Sequence, residues 1–227
     1  YFGQYNKSGR HVGLNFIAEG QSRDYRADVG FNRRTNTSRD SLFFRYESTA
    51  HPKNKLILWR VFSGGGVRYD WQGNLQNIDS SVEYGLSFTK QTYVGGGVGN
   101  GYERIFEEEF GPKRSAGRPG AFYGDSERSS RSKSVWSFVE SNPSKRYSAF
   151  LFFGYNWGVF DFDFGAGPRF PRVSPPALAD PNAPLDPGPG RLLDVNANFN
   201  YQPTTALRTE LRYSHSRLER DDTGLVS

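Results

Sequence analysis

Two runs of alternating residues meeting at Gly73-Asn74 constrain this chain more than any other stretch. A Gly-Asn pair between such runs predicts a two-residue β-hairpin loop. With Gln72 and Leu75 flanking the loop, partners across the hairpin Lys55–Val98 have residue numbers summing to 147. The first arm carries its apolar residues at odd positions (Ile57, Trp59, Val61, Val67, Tyr69, Trp71). The second carries them at even positions (Ile78, Val82, Tyr84, Leu86, Phe88). An odd sum joins odd to even, so Trp59 is expected opposite Phe88, Val61 opposite Leu86 and Tyr69 opposite Ile78. The other face then pairs Arg68 with Asp79, Arg60 with Ser87 and Gly64 with Glu83.

The arms are long. Strands usually run about 5–6 residues, whereas the first arm alternates from Lys55 to Gln72. Trp59 and Trp71 share a face twelve positions apart, roughly 30 Å along the axis of a barrel with strands tilted near 40°. That is close to bilayer thickness, with a Trp at each interface.

The same period of two recurs along most of the chain. Residues 10–20, 22–34 and 42–47 alternate, the second run through Tyr25, Ala27, Val29 and Phe31. Trp136 and Phe138 share a face in 134–140. A run of Ala149, Leu151, Phe153, Tyr155 and Trp157 changes parity near Val159-Phe160, which predicts a β-bulge. Val195, Ala197, Phe199 and Tyr201 alternate with Asn196, Asn198, Asn200 and Gln202; Leu207, Thr209, Leu211 and Tyr213 alternate with Arg208, Glu210, Arg212 and Ser214. This gives about nine strands in an all-β, long antiparallel meander forming part of a transmembrane β-barrel. Long loops at about 107–133 and 167–190 lie at one end, and the Gly73 turn at the other, periplasmic end. Tyr102–Phe110 is the best helical candidate.

Composition fits this class. The chain has 19 Phe, 13 Tyr, 4 Trp and 26 Gly but no Cys, which excludes disulfides, thiolate metal sites and cysteine nucleophiles. No run approaches the ~18 apolar residues of a transmembrane helix. A mean hydropathy of −0.71 suits a barrel too, because lipid-facing and lumen-facing residues alternate. The net charge of +5 is mild and its arginines are dispersed, so no nucleic-acid partner is expected.

The expected lumen-facing residues are Arg60, Arg68, Asp70, Glu83, Arg208, Glu210 and Arg212; the expected lipid-interface aromatics are Trp59, Trp71, Phe88, Tyr155 and Trp157. Other chemistry reads weakly. The row Gly95, Gly97, Gly99, Gly101 matches no phosphate-binding spacing and falls on the inward face, leaving room for curvature or a plug. Glu107-Glu108-Glu109 reads as a cation site or, more simply, a solvated face. Arg128, Arg131 and Lys133 read as a lipid-phosphate cluster or as plain loop. Asp161 and Asp163 read as an acid/base pair or, more simply, as polar lumen face. With only His11, His51 and His215, no triad forms. No catalytic, cofactor-binding or metal residue is assigned, and the chain is not expected to be an enzyme.

The phrases Val29-Gly30-Phe31-Asn32-Arg33-Arg34, Gly101-Tyr102-Glu103, Gly120-Ala121-Phe122-Tyr123-Gly124 and Leu218-Glu219-Arg220-Asp221-Asp222-Thr223-Gly224, together with the long hairpin, resemble the C-terminal barrel domain of large exported bacterial proteins. Those proteins carry an N-terminal domain like a family 9 carbohydrate-binding module, and the barrel is a domain of unknown function. The resemblance implies residence in the outer membrane of a Gram-negative bacterium, and an N-terminal module and final strands outside this segment, so that residues 1–227 form a partial barrel domain. The function expected is a pore, anchor or scaffold. Its expected partners are outer-membrane lipid and either other subunits of an envelope complex or its own N-terminal module. A soluble β-sandwich binding carbohydrate and an outer-membrane barrel hydrolase are the alternatives.

Overall fold

A computed structural model describes residues 1–25, 34–111, 114–163, 173–224 and 226. The fold is all-β: ten strands in one antiparallel sheet, each paired with its neighbour in sequence. They are β1 (Phe2–Ser8), β2 (Val12–Gln21), β3 (Thr37–Glu47), β4 (Leu56–Tyr69), β5 (Leu75–Phe88), β6 (Thr92–Phe106), β7 (Glu127–Ser144), β8 (Tyr147–Asp161), β9 (Gly188–Tyr201) and β10 (Thr209–Arg220). The sheet is open. β1 and β10 are its edges, the arrangement of a piece of a barrel.

The central hairpin keeps its parity but not its register. Gly73 N donates to Asp70 O at 3.1 Å, and Asp70 N donates to Asn74 O at 2.9 Å. Three residues therefore turn the chain instead of two, with Gly73 at φ +87°, where a Cβ would be strained. The Asp70 carboxylate accepts from the amides of Gln72 and Asn74 at 2.9 and 2.7 Å. Asp70 is thus a turn-former and not a lumen-lining residue. A bulge at Gln76 then sets the sum at 145, not 147: Trp59 faces Leu86, Val61 faces Tyr84, and Val67 faces Ile78. Both sums are odd, so the two faces survive. On the other face Arg68 lies opposite Asn77, Arg60 opposite Gly85 and Gly64 opposite Ser81.

The expected second arm is two strands. Thr89–Gln91 turns the chain between β5 and β6, with Lys90 and Gln91 at φ +59° and +51°. This extra reversal moves the Gly73 turn to the end that carries the 107–126 and 162–187 connections, overturning its assignment to the opposite end. β1 is a further strand; with the divided arm and β1 gained and no described strand in the expected run 22–34, the described strands number ten. Of the expected run 22–34, residues 26–33 lie outside the described residues, and Ser22–Tyr25 form a turn. The helical candidate is instead the end of β6 followed by one 3₁₀ turn, Glu107–Glu109. β7 begins at Glu127, so the first long loop is shorter than 107–133. The bulge in β8 falls between Trp157 and Val159, at Gly158 with φ +69°.

Registers place the side chains on two faces. One carries Leu42, Phe44, Trp59, Val82, Tyr84, Val98, Leu151, Phe153 and Phe199, all at least one-third exposed. Among the described residues nothing packs over it. Among the described residues the buried hydrophobic side chains are Ile105, Phe122, Val173 and Ala177, and they sit at the loop-bearing end of the sheet rather than between layers. The accessible surface is 14838 Å², against about 10,400 Å² expected of a globular monomer of this mass.

Candidate functional site

The opposite face is polar over β2–β5 and β9–β10 and carries ion pairs along its strands, whereas on the apolar face, among the described residues, Arg104–Glu127, Arg191–Glu219 and Arg217–Glu219 pair only toward the loop-bearing end. Glu47 and Arg60 pair across β3 and β4. Arg39 Nη2 donates to Asp79 Oδ1 at 3.1 Å. Glu83 accepts from Ser81 Oγ at 3.2 Å. On β9 and β10, Asn198 and Arg212 both donate to Glu210, at 3.1 and 2.5 Å, and Arg208, just before β10, donates to Asn200 at 3.1 Å. Arg60, Arg68, Glu83, Arg208, Glu210 and Arg212 therefore share this face.

The apolar face holds Trp59, Tyr155 and Trp157. The last two rings meet edge-on at 4.5 Å, and Trp59 packs on Tyr46 at 5.2 Å. Phe88 ends β5 opposite Leu56 and Thr92. Trp71 lies beyond β4, in the turn, where its Nε1 donates to Gln21 O at 2.7 Å and Tyr1 stands edge-on to its ring. Tyr69 is the aromatic that ends the strand itself.

Between β6 and β8 the polar face becomes aromatic. A Cβ at Gly97 would stand 2.7 Å from Trp136 Cζ2, and one at Gly95 2.6 Å from Phe138 Cε1. Tyr93 and Phe150 flank Phe138 at 5.5 and 6.3 Å. The space over these glycines is filled by flat rings from the neighbouring strand, an arrangement that shields exposed backbone.

At the loop-bearing end the connections are tied down by buried charge. Glu107, 3 % exposed, accepts from Nε and Nη2 of Arg114 at 2.7 and 2.8 Å. Arg114 holds the Glu107 carboxyl below the usual carboxylate range, chiefly through these hydrogen bonds. Glu109 meets Arg34 at 2.7 Å, so two members of the acidic run are engaged in ion pairs, neither a solvated face nor a cation site. Among the described residues no cluster of His, Cys, Asp or Glu could hold a metal ion.

Asp163, 2 % exposed, accepts from the amides of Val173 and Ser174 at 2.6 and 3.2 Å and from the Ser174 hydroxyl. Asp161 accepts from Asp163 N at 2.9 Å. The two carboxylates are loop clamps, not an acid/base pair or lumen lining. Arg220, 1 % exposed, donates to Asp222 at 2.9 and 2.8 Å and to Asp186 O at 2.6 Å, and lies 3.7 Å from Asp161. Arg128 reaches Tyr123 O and Asp186. Arg131 and Lys133 alternate to the other face of β7, so the three cations do not form one cluster.

Under this cap, on the polar face, lies a cavity of about 560 Å³ lined by Arg34, Arg39, Arg68, Asn77, Asp79, Glu103, Ile105, Glu109, Phe110 and Phe162. Arg39 and Arg68 are directly opposed across β3 and β4, a repulsive juxtaposition. Buried guanidinium nitrogens of all three arginines, Nη1 of Arg34 and Nε of Arg39 and Arg68, have no hydrogen-bond partner among the described residues. Each costs about 1–3 kcal/mol if left so. Periodicity indicates the face on which these residues lie but not that they converge. Convergence comes from the register of four strands and from the return of Glu109, Phe110 and Phe162 over them.

No family model, curated protein or solved structure matches this chain.

Proposed function

We propose that this chain is a segment of a bacterial outer-membrane β-barrel that serves as a pore, anchor or scaffold for a larger assembly and carries no chemistry of its own. One observation carries the reading: a continuous apolar band across one face of the sheet, over which no layer packs among the described residues. In water such a face would be a docking or aggregation surface; in a bilayer it is the solvated side. Strands of 14–18 residues in β4–β9 tilted near 40° reach roughly 35 Å or more, enough to cross. On β8, Tyr147 and Trp157 are ten positions apart, about 25 Å along the axis, which is the height of an apolar band between aromatic girdles. Among the described residues no helix is long and apolar enough to cross a membrane, and crossing would be by strands. The free edges of β1 and β10 would be met by strands of a longer chain, in keeping with the resemblance to the barrel domain of module-bearing exported proteins.

The polar face then lines the lumen. Its charges are of both signs and mostly paired, which suits a braced or plugged interior better than a strongly ion-selective channel. A soluble carbohydrate-binding sandwich would require a second sheet against the apolar face, and the ten strands form one sheet. Outer-membrane lipid is the proposed partner. The test is purification: the protein should need detergent to stay monodisperse and should migrate differently on gels before and after heating. A monodisperse protein in plain buffer overturns the reading.

A further inference from the structure

We infer that the cavity beneath the loop cap is a binding site for a small polar organic anion, its carboxylate or phosphate held by Arg68 with Arg39 and Arg34. Three features point to a ligand. First, Arg34 is nine-tenths buried, with a side-chain exposure of 9 %, and its Nη1 has no partner among the described residues although Glu109 and the Arg104 carbonyl occupy the rest of its fork. Second, Arg39 and Arg68 are forced together by strand register. Arg39 is neutralised by Asp79 at 3.1 Å, but among the described residues Arg68 has no carboxylate within the 4.0 Å that defines an ion pair. Third, the cavity holds about 560 Å³, within the ordinary range of small-molecule sites and far larger than a bare ion needs.

The shape of the charge also selects. Arg68, Asn77 and Glu103 stand in one cross-strand row over β4, β5 and β6, so the cation and the carboxylate are about 10 Å apart with the amide between them. Three arginines against Asp79, Glu103 and Glu109 leave no large net field. Recognition therefore rests on geometry: an oxyanion at the Arg68 end, and hydroxyl or ammonium donors toward Asn77 Oδ1 and Glu103. The stacked rings of Phe110 and Phe162, 5.6 Å apart, supply an apolar wall for the body of the ligand. Planar guanidinium forks suit both carboxylate and phosphate.

The inference stands apart from the membrane reading, because it can be measured on the full chain in whichever solvent keeps the protein monodisperse. Calorimetric titration with gluconate and with glucose 6-phosphate separates the two oxyanions, with glucose as the uncharged control. At least one anion should bind saturably and glucose should not. Arg68→Gln should weaken that binding at least tenfold, whereas Arg60→Gln, whose arginine is paired with Glu47 outside the cavity, should leave it within twofold. On the unaltered protein, the bound anion should protect Arg68 from phenylglyoxal as read by peptide mass spectrometry, so a variant that misfolds does not decide the matter. Saturable binding by neither anion, equal binding by a folded Arg68→Gln protein, or no protection of Arg68 would each overturn the assignment.

Discussion

Val82 stands at the middle of β5, on the apolar face, opposite Ser63 and Val98, and is 51 % exposed. Replacing it with Arg separates two solvents cleanly. If water bathes this face, an exposed Val→Arg change should alter stability by less than about 0.5 kcal/mol. If hydrocarbon bathes it, Arg at the bilayer midplane costs about 2–4 kcal/mol, a shift of roughly 30- to 900-fold in the folding equilibrium. Phe88 on the same face is six residues further along β5, about 15 Å along the axis and close to an interface. There the charge should cost only about 0–1 kcal/mol. The assay is reversible denaturant unfolding in phospholipid vesicles, followed by tryptophan fluorescence, for both variants. Depth dependence is the signature. Equal, small effects at Val82 and Phe88 would refute the bilayer argument.

Gly97→Val should destabilise by about 1–3 kcal/mol, because the new side chain meets Trp136 and the Val82 carbonyl, each 2.7 Å from a Cβ at this site; a changed tryptophan emission should accompany the shifted unfolding midpoint. Arg220→Ala should cost about 3–5 kcal/mol by leaving Asp161 buried without its cation and Asp186 with Arg128 alone, with proteolytic cutting of the 162–187 connection as the local readout. The Glu107 carboxyl is held below its ordinary value by Arg114, so its contribution is full above the unfolded-state pKa of about 4.3 and is lost as the pH falls through the depressed folded value. Protease sensitivity of the 107–126 loop should rise on that acid side, and Glu107→Gln should be sensitive at neutral pH and show little further change.

Alternation made the sheet legible because it comes directly from the pleat: one face apolar, the other polar, over ten or more residues. It failed where that contrast disappears. The opening of β7 (Glu127–Ser134) is polar on both faces and reads as loop. Turn chemistry failed differently. Thr89–Gln91 has no Gly, Asn or Pro, yet its lysine and glutamine adopt positive φ, and the missed reversal inverted the ends of the molecule. Parity, by contrast, withstood an error of two in register, since a three-residue turn and a bulge together displace the pairing by an even number. The cavity was the least legible part. Arg39, Arg68 and Asp79 are ordinary polar-face residues until cross-strand register brings Arg39 to both of the others, and Phe162 arrives there only through the path of the connection after β8.

Arg220 sits near the end of the last strand, yet its buried partners Asp161 and Asp186 flank the connection between β8 and β9. In a meander every strand finds its partner locally, so assembly can proceed by zippering along the chain with little loop-closure cost. The guanidinium comes from β10, so its part of the β8–β9 closure cannot be in place until β10 has been laid down. It therefore acts as a completion signal, fastening the connection only after the preceding strands are in register. Pulsed proteolysis during refolding should show the 162–187 segment becoming resistant last, together with β10; resistance gained before β10 is protected would break that order.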